Sequence, residues 1–138
     1  MVRIQSPVLN VHASQDKVQR FLSTFANYEL LLPKEQVSDF QCLENGFSFK
    51  AAGNFLLALS LESHTDHSFH FKGSPQNPFP FELTIQLQEA QGITNGSIEI
   101  KADVNMMMKM LLEKPLQKLL QQMTNNLEQQ LQLLDVKE

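Results

Sequence analysis

The chain has 138 residues, the size of one domain, and is long enough to bury a core without disulfide or metal staples. Its formal net charge of −4 arises from 15 acidic and 11 basic residues with no clustered Lys/Arg stripe, so the long-range field that attracts nucleic acid or anionic lipid is missing. One cysteine, Cys42, excludes an intramolecular disulfide and gives no metal framework by itself; it reads as a small buried hydrophobe in a reducing compartment.

Charged residues make up 19% of the chain, against roughly 25% in ordinary soluble proteins, and ten phenylalanines supply most of the aromatic content, which points to an aromatic-lined interior. The first eleven residues alternate polar and apolar and lack the apolar core of a secretory signal. No stretch approaches the roughly 18 apolar residues needed to span a bilayer. These features predict a soluble, cytoplasmic protein with no stable membrane insertion.

In chain order, Arg3 to His12 alternates as a first strand, with Pro7 marking an edge or a bulge. Ser14 is a helix N-cap, Asp16 lies in the first turn, and Val18, Phe21, Leu22 and Phe25 recur at helical spacing. Asn27 to Leu32 adds a turn or two of helix before Pro33, which disfavours helix at Leu32. From Gln36 to Asp103 the period is two. Phe40 and Cys42 lead to an Asn45-Gly46 turn, then Phe47, Phe49 and Ala51, a turn at Gly53-Asn54, and Leu57, Leu59 and Leu61. Phe69 and Phe71 follow a polar turn. A proline-rich loop from Gly73 to Pro80 precedes Phe81, Leu83, Ile85 and Leu87. A turn at Gln91-Gly92, or alternatively at Asn95-Gly96, leads into Ile98, Ile100 and Ala102. Six such strands form an antiparallel meander, and the first strand makes a seventh.

The chain ends in an amphipathic helix predicted from about Pro115 to Leu134, with Leu116, Leu119, Leu120, Met123, Leu127, Leu131 and Leu134 on one face and Gln, Asn and Lys opposite. Burying that stripe contributes on the order of 10 to 20 kcal/mol as an upper bound. It therefore needs an apolar partner, and the strands must supply it. Leu116, Leu120, Met123, Leu127, Gln130 and Leu134 also fit a heptad, but only about three heptads run without flanking charge pairs, which favours packing on the sheet over a dimer seam. No repeat or linker divides residues 1–138, so the whole is read as a single domain.

This order of strand, two short helices, antiparallel meander and long C-terminal helix resembles the helix-grip fold of the START-like (SRPBCC) superfamily, which includes polyketide cyclases and coenzyme Q-binding proteins. Three segments carry the local resemblance: Ala13 to Leu22, Asn77-Pro78-Phe79-Pro80-Phe81, and Ala102 to Met110 running into Lys114-Pro115-Leu116, which is similar to the strand-to-helix join of small bacterial members. The resemblance implies an α+β fold in which a seven-stranded curved antiparallel sheet grips the long helix and leaves an apolar cavity between them. It also implies ligands such as lipids, sterols, quinones or polyketides, with some members catalytic and others chaperone partners. Fold does not choose among these.

The expected pocket lining is Phe40, Phe47, Phe49, Leu57, Leu59, Phe69, Phe71, Phe81, Leu83, Ile85, Ile98 and Ile100, facing Leu120, Met123 and Leu127. The alternative is that these side chains meet in a solid core. Met106, Met107 and Met110 belong to a methionine run placed before the helix, where unbranched side chains would line an adaptable mouth or else plug the end of the sheet. His64, His67 and His70 surround one hairpin with Asp66, but in a strand His67 and His70 face opposite ways, so a solvated hairpin is favoured over a metal site. His12 carries no chemistry at the end of its strand. Lys50, Glu62, Lys72, Glu82, Glu99 and Lys101 alternate outward, and no triad, phosphate loop or metal spacing is present.

The sequence therefore predicts a non-enzymatic carrier for a small hydrophobic or amphipathic ligand, with no catalytic residue, metal or cofactor and no nucleic-acid partner. A protein-interaction module with a filled interior and an exposed apolar patch around Phe79 and Pro80 is the alternative. A cyclase-like enzyme, which needs an interior acid–base pair, is the second.

Overall fold

A curved antiparallel sheet and a long helix dominate the described residues, which are 2–51 and 55–137 of a computed structural model, with side chains described to residue 132. The elements are β1 (Val2–Gln5), β2 (Leu9–Val11), α1 (Gln15–Ser23), a 3-10 turn (Phe25–Asn27), α2 (Tyr28–Leu31), β3 (Ser38–Leu43), β4 (Gly46–Ala51), β5 (Phe55–His64), β6 (Ser68–Gly73), β7 (Phe81–Ala90), β8 (Ile93–Ala102) and α3 (Met106–Lys137). The sheet order is β1-β8-β7-β6-β5-β4-β3, with β2 continuing beside β8. This is the expected meander closed by the first strand. The Gly53-Asn54 turn and Leu134 lie outside the described residues and side chains respectively.

Pro7 splits the single strand predicted at the N-terminus into β1 and β2, because it offers no N–H to the ladder. Ile4 pairs with Ile100 and Leu9 with Gly96, a slip of one residue that Ser6 bridges through bonds of 2.8 and 2.9 Å with Ile98. At the other end of β8, Gln91 and Gly92 (φ 55° and 79°) make the two-residue turn, and Ala90 pairs with Ile93. Asn95-Gly96 is therefore strand. Gly96 lies between Leu87 and Leu9, where an added Cβ would run into the Gln86 carbonyl.

β3 is one edge of the sheet, with β1 and β2 at the other. A register shift between Ser38 and Gln41 places Asp39 at φ 53°, a conformation aspartate tolerates, and leaves Phe40 half-buried against Phe47. Cys42 is exposed, which corrects its reading as a buried hydrophobe: alternation assigns a face, but burial also requires cover at the edge.

The Asn77-Pro78-Phe79-Pro80 segment serves the fold. The Asn77 side-chain amide accepts from Ala58 N (2.9 Å) and donates to Ala58 O (3.0 Å), replacing a strand partner for β5 beyond the end of β6. Phe79 is buried, in edge contact with Phe55 and Phe81, so the apolar patch expected around Phe79 and Pro80 does not form there. Asn77→Ala is expected to destabilise the protein by about 1–3 kcal/mol, since it strips a part-buried N–H of its acceptor. Urea unfolding measures it.

The long helix begins at Met106, so the methionine run lies inside it and Pro115 is internal. Asn105 caps it, its side-chain oxygen accepting from Met108 N at 2.9 Å. The Met-, Leu- and Lys-rich stretch after the cap has high helix propensity. An internal proline costs about 3 kcal/mol or more, and packing on either side offsets it, with Leu112 and Leu116 both 1% exposed. Leu119, Leu120, Met123, Leu127 and Leu131 complete the buried stripe. α3 packs on β1, β2, β8 and α2. Asn126 donates to the Leu31 carbonyl (2.8 Å) and Glu128 accepts from Asn10 N (2.9 Å), fixing the helix to α2 and β2.

Candidate functional site

The centre of the curved sheet is occupied by α2. Ser14 starts α1 by accepting from Lys17 N, and the carbonyls left at its C-terminal end find side-chain donors. Asn27 donates to the Phe21 carbonyl at 2.9 Å and the Tyr28 hydroxyl to the Leu22 carbonyl at 2.8 Å. Those bonds turn the chain back over the sheet. Tyr28 then stacks flat on Phe47 (4.4 Å between ring centroids, 15°) and meets Phe71 edge-on at 5.4 Å. Leu31 and Leu32 are buried beside it.

Between sheet and helix lies a void of about 10 Å³, lined by Leu32, Phe47, Phe49, Leu59, Phe81, Leu83, Ile100, Leu119 and Met123. That is about the room of one water-sized sphere. Of the residues expected to line a pocket, Phe47, Phe49, Leu59, Phe81, Leu83, Ile100 and Met123 border this void. Leu57, Phe69, Phe71, Ile85, Ile98, Leu120 and Leu127 are buried in the surrounding core, and Phe40 lies at its edge. Met106, Met107 and Met110 stand apart from them, 70 to 76% exposed on the first turns of α3.

A larger concavity opens beside the core. A groove of about 700 Å³ runs between the first half of α3 and the adjoining strand ends at Ala51 and Phe55. Its apolar lining among the described residues is Ala51, Phe55, Leu111, Leu112, Pro115, Leu116 and Leu119, and its polar lining is Gln36, Lys114 and Lys118. The volume falls within the roughly 300–1,000 Å³ of small-molecule sites. Phe55 is backed by Phe79 at 5.8 Å. Pro115 offers no N–H, so the Leu111 carbonyl lacks its usual helical donor at the groove wall. Leu119 borders both groove and void.

Periodicity alone misses this groove, because it begins the helix at Pro115 and leaves Leu111, Leu112 and Lys114 without an assigned face. The Leu111-Leu112 pair, four and three residues before Pro115, is the signal the sequence offers.

Polar chemistry lies elsewhere. Among the described residues, the buried polar side chains besides Tyr28 are Ser48, Thr94 and Thr124. Thr94 donates to the Ala13 carbonyl (2.8 Å) and Thr124 to the Leu120 carbonyl (2.9 Å). Burial raises the Tyr28 phenol above its ordinary pKa. The three histidines of the β5–β6 hairpin have separate partners: His64 stacks on Phe69 at 5.9 Å, His67 meets the Gln15 amide at 2.9 Å, and His70 lies 3.6 and 3.4 Å from Glu62 and Glu82. Among the described residues no His, Cys, Asp and Glu group is placed to hold a metal, and no helix is long and apolar enough to cross a membrane.

No protein-family model and no curated protein matches the chain. Solved structures match it over nearly its whole length. It is similar to a START superfamily protein from Mycobacterium smegmatis, with a TM-score of 0.70 at 12% identity over 96% of this chain and 98% of that one. The XoxI protein of Bacillus cereus matches with a TM-score of 0.69 at 16% identity over 100% and 99% of the two chains. A Thermus thermophilus protein matches with a TM-score of 0.75 at 13% identity over 99% and 100%. With the sheet, the gripped helix and full-length coverage in agreement, the chain has the START-like, helix-grip fold.

Proposed function

We propose that the protein is a non-enzymatic carrier that holds a small hydrophobic or amphipathic molecule in the groove between α3 and the strand ends at Ala51 and Phe55. The observation that carries the reading is the 700 Å³ groove with seven apolar lining residues among the described ones, beside a core void of about 10 Å³. A ligand would lie along Phe55, Leu111, Pro115 and Leu116 with its apolar end against Leu119. Beyond Leu119 are the void and Met123, whose unbranched side chain adapts to a deeper-reaching tail. Among the described residues none of those expected from sequence to line the pocket lines this groove, and seven of them border the void behind Leu119. Acid–base catalysis needs an acid paired with a base, whereas the titratable side chains lining the groove among the described residues are two lysines, and the one in the described interior is Tyr28, which donates to a backbone carbonyl.

The test is calorimetric titration with alkyl alcohols, quinones and aromatic polyketide analogues, alongside native mass spectrometry of protein purified from its host. Saturable one-to-one binding is expected. Phe55→Ala should weaken it about tenfold, the equivalent of about 1.4 kcal/mol, through loss of the aromatic wall. Absence of binding across the panel sinks the carrier reading.

A protein-docking role is favoured by a separate observation: Met106, Met107, Met110 and Leu111 are 65 to 76% exposed on one end of α3. Exposed methionines suit adaptable binding surfaces. It gains if the small-molecule panel fails and Met107→Glu/Met110→Glu abolishes a specific protein complex.

A further inference from the structure

Resting on the reading of the groove as a ligand site, we infer that its ligand is an amphiphile with an anionic head group, held by Lys114 and Lys118. In a chain of net charge −4, both charged residues lining the groove among the described residues are cations. They stand four residues apart on α3, a spacing that makes them neighbours on the helix surface, where like charges repel and one anion can meet both. Among the described residues neither lysine forms an ion pair with a carboxylate, a state they share with Lys34, Lys72 and Lys109, and what sets them apart is that they line the groove. Glu113 adjoins Lys114 in sequence but does not line the groove.

The rest of the wall says where the head and tail go. Pro115 and Leu111 share the groove with the two lysines, and Leu112, Leu116 and Leu119 form its apolar depth. Both lysines are exposed and line the groove, and long cationic side chains at apolar surfaces cover the wall with their stems while their charged ends reach water. A head group at the solvent edge meets both ammonium groups while its chain lies inward toward Leu119. A carboxylate and a phosphate monoester share this chemistry. A neutral alcohol of the same chain length makes the apolar contacts without the charge.

Calorimetric affinities for dodecanoate, dodecyl phosphate and dodecanol separate the possibilities, with inorganic phosphate as a competitor. The anionic amphiphiles are expected to bind about 3- to 10-fold more tightly than dodecanol, the scale of exposed ion pairs. The preference should shrink at high salt through screening. It should disappear in Lys114→Gln/Lys118→Gln and persist in Lys114→Arg/Lys118→Arg, and inorganic phosphate should compete weakly. Equal binding of dodecanol, or a preference that survives the double glutamine variant, overturns the anionic head group and leaves the carrier reading standing. Failure of all three amphiphiles overturns the anionic head group, and failure of the quinones and polyketide analogues as well overturns both. Strong displacement by inorganic phosphate, with dodecanoate no tighter than dodecanol, overturns the amphiphile in favour of a free-phosphate site.

Discussion

Leu119→Ala is expected to lower the unfolding free energy by about 3 kcal/mol, within the roughly 2–5 kcal/mol measured for buried leucine truncations. Leu119 is 2% exposed and stands between the interior void and the groove, so its neighbours on both sides lose contacts that water does not replace. At this chain length each kcal/mol corresponds to about 4 °C of melting temperature, giving a fall of roughly 12 °C. Met110→Ala, on the same helix but 76% exposed, should stay within about 0.5 kcal/mol. Urea unfolding followed by circular dichroism measures both. If the two variants were equally stable, the division of α3 into a buried and a solvent face would be wrong. The truncation also removes the wall between void and groove, so longer alkyl chains should gain affinity relative to shorter ones in Leu119→Ala.

The second large effect is on alkaline stability. Tyr28 is the chain's single tyrosine, and there is no tryptophan, so phenolate absorbance reports this side chain alone. Burial holds its pKa above the unfolded value of about 10. The sign follows from linkage. Below pH about 10 both states keep the proton and stability is unaffected; above it the unfolded chain releases the proton while the folded chain retains it, and stability falls by about 1.4 kcal/mol per pH unit. Phenolate absorbance should therefore be absent from the native protein above pH 10 and appear together with loss of the far-ultraviolet dichroism. A gradual titration ending near pH 10 with the fold intact would contradict the buried Tyr28–Leu22 bond. Tyr28→Phe should remove this contribution to the alkaline limb. At neutral pH it should lose about 1–2 kcal/mol, because the Leu22 carbonyl is left without its 2.8 Å donor.

The same tyrosine shows why the interior differs from its simplest sequence reading. Alternation along β4 to β8 places Phe47, Phe49, Phe69, Phe71, Leu83 and Ile85 on one face, and all are buried. It does not say what else occupies that face. The aromatic residue of a four-residue helix carries little periodic signal, yet the two side-chain bonds to the end of α1 direct Tyr28, Leu31 and Leu32 into the concavity. The space left for a ligand then lies beside the core instead of within it. Likewise, Pro115 reads locally as a helix start because proline is favoured at the first helical position. Only the cap at Asn105 and the burial of Leu112 show that the helix begins earlier and that its first half forms a groove wall.

The sequence by itself determined the antiparallel meander, the tight turn at Gln91-Gly92, the Ser14 cap and the buried face from Leu116 to Leu131, while the turn expected at Asn45-Gly46 falls one residue earlier, on Glu44-Asn45, with Gly46 paired to Leu43 in the strand. These follow from period-two and period-3.6 patterns and from local turn chemistry, which act over a few residues. The tertiary structure alone decided where the empty volume lies, that Cys42 is exposed, that Phe79 is buried, and that Lys114 and Lys118 line one groove with Phe55. Each of those depends on which surfaces distant segments bring together, and packing between segments far apart in the chain leaves no periodic trace in either one.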